Sequence, residues 1–250
     1  MKRAIYEKIK LCLGGGRILS SNRKGFTLAE VLVTLGIIGV VSAMTVPSLM
    51  QNYQRQSYVT QLHKFYNELS QALVRYQNDS NAVNLREAGL NSRAALYDFF
   101  KNYFKIVNDC GNTQTPCFAS DYKNLSGVKS GFNCSSNCVL LASGSSLGAT
   151  FPNKSNIISE VVVDINGPKG PNIFGRDAFT IYIYNNNVLD DLALENPDTD
   201  GDGTWSTTST APLSKEQRET NFKKACLNNP SGFWHGCFGK ILNDNWEMNY

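Results

Sequence analysis

The sequence predicts an α+β chain. One long N-terminal helix spans a membrane over its first half and packs its second half on an antiparallel β-sheet with disulfide-stapled loops. Three features of the 250 residues carry this expectation. An apolar run, Phe26–Val46, passes without a break into an amphipathic pattern that keeps helical spacing to about Asn78. Alternating and β-branched runs follow in the second half of the chain. Six of the seven cysteines lie in closely spaced pairs beyond residue 100.

The first element is a basic leader. Residues 1–25 carry Lys2, Arg3, Lys8, Lys10, Arg17, Arg23 and Lys24 against Glu7 alone. An ordinary secretory signal places its apolar stretch before the cleavage site and loses it on cleavage. Here the apolar stretch lies beyond Gly25, so a cut after Gly25 keeps it on the mature chain. The run has 21 residues, enough to cross a hydrocarbon core of about 30 Å. The basic segment is then expected to stay cytoplasmic while the bulk of the chain crosses.

Removing the leader changes charge and cysteine count. The whole chain has 24 basic and 21 acidic residues, formally +3; without the leader it has 17 − 20 = −3. The basic balance is a leader property, which argues against nucleic acid as a partner. Cys12 leaves with the leader, and Cys110, Cys117, Cys134, Cys138, Cys226 and Cys237 remain. An even set in an exported domain points to disulfides. The spacing suggests 110–117, 134–138 and 226–237, although six cysteines admit fifteen pairings. Zinc is the rival reading, but the chain has no Cys-x-x-Cys and only two histidines.

Lys24-Gly25 followed by Phe26-Thr27-Leu28-Ala29-Glu30 and an apolar helix resembles the processing signal of type IV pilins and type II secretion pseudopilins. The resemblance covers residues 23 to 55, and the leader is longer than many in the family. It implies that prepilin peptidase cuts after Gly25 and methylates the new N-terminal residue, Phe26. The family's glutamate, fifth in the mature chain, falls on Glu30, and its helix proline on Pro47. Assembly is thus expected to use Phe26, Glu30 and Pro47. The implied partners are other pilin or pseudopilin subunits in a helical filament, an inner-membrane assembly platform, and membrane lipid before assembly. The implied location is the bacterial inner membrane, single-pass with the C-terminal domain exported, and then a periplasmic or extracellular filament.

A carboxylate on a membrane helix costs roughly 2.5–3.5 kcal/mol on insertion scales and needs a partner. Cleavage supplies one, the α-amino group of Phe26, four residues from Glu30 and on the same helix face. In the family the pair forms between neighbouring subunits. The alternative is a carboxylate snorkelling to the membrane surface. Gly36 and Gly39, near Thr34 and Ser42, either let helices approach closely or reflect ordinary glycine tolerance in membrane helices. Pro47 is expected to kink or loosen the helix.

Beyond Pro47, Tyr58, Leu62, Phe65, Leu69, Leu73 and Tyr76 recur at three- and four-residue steps, the stripe of a helix lying on a core. The expected divisions are 1–25 leader, 26–46 membrane or filament-core half-helix, 47–79 amphipathic half-helix, and 80–250 exported head. A second helix is expected from an N-cap at Ser92 to about Val107, followed by loops over 108–137. Strands are expected at Val139–Ala142, Leu147–Phe151, Ile157–Ile165 and Ala178–Tyr184, the last half-buried by its alternation. Turn residues 166–172 make a hairpin connection, beside which Asp164 and Asp177 are minor candidates for a metal or ligand. Ser214-Lys215-Glu216-Gln217 is a capping box before a helix reaching about Leu227.

Asp198, Asp200 and Asp202, followed by Gly203, match the first half of a calcium loop. The twelfth position is Ser209, so a complete EF-hand is not expected. A looser calcium site, with oxygen from Asp190, Asp191 or Glu195, competes with a solvated acidic turn. No other cofactor is implied. His63 and His235 belong to no catalytic pattern, and no nucleophile elbow or phosphate loop occurs, so no enzyme is expected. The functional expectation is a structural filament subunit, major or minor. Its alternatives are a membrane-tethered binding or adhesion module at a filament tip and, last, an anchored hydrolase.

Overall fold

The computed structural model describes residues 25–134, 136–152, 156–192, 210–227 and 234–250. The chain divides into two units, Met1–Leu49 and Met50–Tyr250. Helix α1, Leu28–Asp79, contributes to both.

In the first unit every described residue of α1 is solvent-exposed, including Leu32, Leu35, Ile37, Ile38, Val40 and Val41. The helix has two features suited to hydrocarbon. Its polar side chains turn back on the backbone, with Thr34 Oγ1 donating to the Val31 carbonyl (3.0 Å) and Thr45 Oγ1 to Val41 (2.9 Å). Among the described residues nothing covers it. The helix continues through Pro47.

In the second unit, α1 buries Val59, Leu62, Phe65, Leu69, Ala72 and Leu73, the predicted stripe. Helix α2, Arg93–Tyr103, begins at Ser92, whose Oγ accepts from Ala95 N–H (3.2 Å). Its aromatic side packs against α1: the Tyr76 ring lies 5.4 Å from Phe99 and 6.0 Å from Tyr103. The sheet has six antiparallel strands in chain order. They are β1 Ile106–Gly111, β2 Cys138–Leu141, β3 Ser146–Thr150, β4 Ile157–Asp164, β5 Ala178–Tyr184 and β6 Leu189–Asp190. Val161 pairs with Ile181 and Val163 with Phe179 across the central strands.

Alternation along β4 and β5 sends side chains into different layers. Val161, Val163, Phe179, Ile181 and Ile183 join the core that holds α1 and α2. Val162 and Ala178 join a second cluster with Phe118, Tyr122 and Phe174. Tyr182 and Tyr184 form a third with Leu192 and Ala211.

Two expectations change here. The second helix stops at Tyr103, where Phe104 turns extended and buries its ring, and residues 106–111 form a strand paired with β2. Strand β5 is buried at all seven residues rather than on one face, because the aromatic loops over 112–137 and the C-terminal segment cover its outer side.

The C-terminal segment opens with the predicted capping box: Ser214 Oγ accepts from Gln217 N–H (3.2 Å), and Gln217 Oε1 accepts from Ser214 N–H (2.8 Å). Helix α3, Lys215–Asn221, then widens into a π-helical turn, Phe222–Leu227, before α4, Phe238–Asn243. The tail returns to α1, where Trp246 stacks on His63 with ring centroids 4.1 Å apart. All six cysteines pair as their spacing suggests. The Cα–Cα separations are 6.2 Å for 110–117, 6.2 Å for 134–138 and 5.1 Å for 226–237.

Candidate functional site

The candidate site begins where the long helix begins. Thr27 is its N-cap, and Thr27-Leu28-Ala29-Glu30 closes a capping box. Glu30 N–H donates to Thr27 Oγ1 (3.2 Å), while Glu30 Oε2 accepts from Thr27 N–H (2.8 Å) and Thr27 Oγ1–H (2.8 Å). The acidic residue therefore sits at the positive end of the helix dipole, where negative charge is favoured. Thr27 was the residue missed in sequence; the Thr-x-x-Glu spacing is its signal.

Gly25 and Phe26 precede the helix outside any regular element, and Phe26 is 87% exposed. The bond between them is open to a protease. A Cβ added at Gly25, Gly36 or Gly39 would meet nothing within 4 Å. Pro47 lies within α1, three residues before the second unit starts at Met50.

The head holds several buried carboxylates, each committed to a structural task. Asp164 accepts from Tyr122 O–H (2.5 Å) and from Asn166 N–H (3.2 Å). Burial is the main force pushing its pKa up, to about 8, with neighbouring Asp177 adding to it. Asp177 accepts from Asn172 N–H (2.8 Å) and Ile173 N–H (2.7 Å), and burial raises its pKa too. These two acids close the β4–β5 connection.

Asp190 accepts two hydrogen bonds from the Arg218 guanidinium and one from Leu213 N–H (2.8 Å). Asp191 is buried and accepts from Leu192 (2.9 Å), Gly236 (3.1 Å) and Gly239 (2.9 Å) N–H groups; burial lifts its pKa to about 6 despite them. Both carboxylates are engaged by these hydrogen bonds. Asp198, Asp200, Asp202, Gly203 and Glu195 lie outside the described residues. Among the described residues no group of three His, Cys, Asp or Glu is placed to hold a metal ion.

His63 packs on Trp246, and His235 is buried, its pKa lowered by burial to about 4. Arg218, Glu160 and Trp234 were not singled out as a site in sequence. Contacts such as Trp234 Nε1–H to Glu160 Oε1 (2.6 Å) join residues 74 positions apart, beyond any local pattern.

Residues 20–46 match the family described as the prokaryotic N-terminal methylation motif. Over 92 residues the chain is 32% identical to "Type IV wide pilus major component PilA4" of Thermus thermophilus, covering 37% of this chain and 70% of that protein. Over 73 residues it is 36% identical to "Type II secretion system core protein G" of Pectobacterium carotovorum subsp. carotovorum. That match covers 28% of this chain and 44% of the relative, so the chain spans less than half of the relative's length. No solved structure matches the chain.

Proposed function

The chain belongs to the family of type IV pilins and type II secretion pseudopilins, and on that premise we propose that it polymerises into a filament through its N-terminal helix once the Gly25–Phe26 bond is cut. The observation that carries this reading is the naked apolar half of α1. From Leu28 to Met50 it presents large hydrophobic side chains, and none of its residues is buried. Such a surface needs lipid at one stage and copies of itself at the next. The matched methylation motif supports prepilin peptidase as the processing enzyme and Phe26 as the residue it methylates.

Glu30 has two successive roles in this proposal. Before cleavage its carboxylate is satisfied by Thr27 and caps the helix. After cleavage, residue 26 carries an α-amino group, largely protonated near neutral pH because such amines titrate around 7.7–8.0. The Glu30 carboxylate then pairs with the Phe26 amine of a neighbouring subunit and fixes the stagger between copies. In a lipid or protein interior the pair is worth far more than at a wet surface. The basic leader holds the N-terminus in the cytoplasm, and the head crosses the inner membrane before assembly on the platform.

Both relatives match less than two-fifths of this chain. The remaining surface of the head is where this subunit's particular position, along the filament or at its tip, would be encoded. Quantifying the protein in purified filaments separates a major from a minor subunit. Mass spectrometry of the mature N-terminus tests the core of the reading. The expected chain starts at Phe26 with a methylated amine; protein retaining residues 1–25 in cells with active prepilin peptidase would overturn it.

A further inference from the structure

The face of the sheet that carries Val162, away from the core containing α1, holds a cavity of about 230 Å³. Phe132, Thr150, Glu160, Val162 and Trp234 line it, together with the Cys134–Cys138 disulfide. Among the described residues Glu160 is its one ionisable side chain. Its Oε1 accepts from Trp234 Nε1–H (2.6 Å), and Tyr182 also donates to the carboxylate. Among the described residues no lysine or arginine forms an ion pair with it. Burial raises its pKa, and the two donors pull it back only in part.

Among the described residues the cavity therefore combines a carboxylate without an ion-pair partner with two aromatic side chains, Phe132 and Trp234, which meet edge-to-face with ring centroids 6.5 Å apart. Ring faces and a desolvated anion both attract positive charge, and aromatic cages select quaternary ammonium groups. Size narrows the choice. The volume is below the roughly 300–1,000 Å³ of pockets for drug-sized ligands, so it suits a head group rather than a sugar chain. Hydrogen-bond chemistry narrows it further. A primary ammonium brings three N–H donors, each of which needs an acceptor held in place around it. A quaternary ammonium has no N–H to satisfy.

We propose that this cavity binds a quaternary ammonium group, with Glu160 supplying the counter-charge and Trp234 and Phe132 the cation–π walls. The site belongs to the head alone and does not depend on how the N-terminal helix assembles.

The test uses the full chain in maltoside micelles, which carry no ammonium group. Choline chloride is titrated against matched sodium chloride by calorimetry, while NMR follows the Trp234 indole N–H. Saturable binding that shifts this resonance is expected, with n-butylammonium at least about tenfold weaker, a difference of about 1.4 kcal/mol. Glu160→Gln, close in shape to the native side chain, should weaken choline binding by about tenfold or more. Absence of saturable binding by the unaltered protein overturns the proposal. So does equal affinity for n-butylammonium, or unchanged affinity in a folded Glu160→Gln protein. The n-butylammonium comparison needs no variant and decides the question even if the substitution disturbs folding.

Discussion

The Arg218 guanidinium grips the Asp190 carboxylate with two hydrogen bonds, Nε to Oδ1 at 2.9 Å and Nη2 to Oδ2 at 2.7 Å. Asp190 is fully buried at the end of β6, and Arg218 lies in α3, so the pair joins the sheet to the C-terminal segment. Removing one partner of a buried ion pair leaves the other charge uncompensated, at a cost of about 3–5 kcal/mol. Arg218→Ala is therefore expected to lower the urea midpoint sharply. Replacing both residues with apolar ones should cost less than the single change, because no orphan charge remains.

The buried acids and His235 set opposing slopes on stability against pH. Asp164 titrates near pH 8 in the folded head, so from about pH 4 up to pH 8 the native state holds a proton that the unfolded chain releases. Stability then falls as pH rises, and raised Asp177 acts in the same direction. Asp164→Asn should flatten the fall in melting temperature between pH 6.5 and 8. His235 works the other way: its pKa drops from 6.5 to about 4 on folding, so stability falls as pH drops through that window. Asp164, Asp177 and Asp191, all raised, oppose it there. His235→Asn should remove the histidine contribution, so that its melting temperature gains on the unaltered protein's as pH falls from 6.5 to 4 in the same melts.

At the helix start, two chemical roles of Glu30 can be separated. Glutamine fits the capping box as well as glutamate does but carries no charge. Glu30→Gln is expected to insert in the membrane and be processed normally, yet to enter filaments as poorly as Glu30→Ala. Counting each variant in sheared filaments checks this. Normal incorporation of the glutamine variant would show that capping, rather than charge, is what assembly requires.

Gly236 adopts φ +88°, and a Cβ there would meet the Asn221 carbonyl oxygen at 2.7 Å. Gly111 also has positive φ, +58°, but a Cβ there meets nothing within 4 Å. Gly111→Ala should cost only the backbone strain, on the order of 1–3 kcal/mol. Gly236→Ala adds a backbone clash beside the Cys226–Cys237 bridge and should cost clearly more. Thermal melts of the two variants, compared side by side, isolate that clash.

Local patterns made much of this fold readable. The stripe from Leu62 to Leu73, the β-branched run Val161–Val163 and the Ser214 capping box all express interactions within a few residues. Strand β1 was not readable, because Ile106 and Val107 extend the helical spacing of α2 as comfortably as they begin a strand. What ends the helix is the burial of Phe104, a tertiary event. The alternation of β5 gave its two faces correctly but not their environments. Only the folded chain brings Phe118, Tyr122 and Trp234 over the outer side. In the candidate site, the processing motif was legible because it is contiguous. The Glu160–Trp234 and Asp190–Arg218 pairs were not, because their partners lie 74 and 28 residues apart.

Each strand bonds to its immediate predecessor and successor along the chain, and the bridges join cysteines only 7, 4 and 11 residues apart. A polypeptide threaded out of a narrow exit from its N-terminal side can thus close every β-ladder and every sulfur bond as soon as the next short segment emerges. No early piece waits for a distant late one to complete its sheet, and a neighbouring thiol is the nearest oxidation partner by a wide margin. Correct pairing then needs little shuffling, which favours rapid, stepwise maturation as the chain emerges.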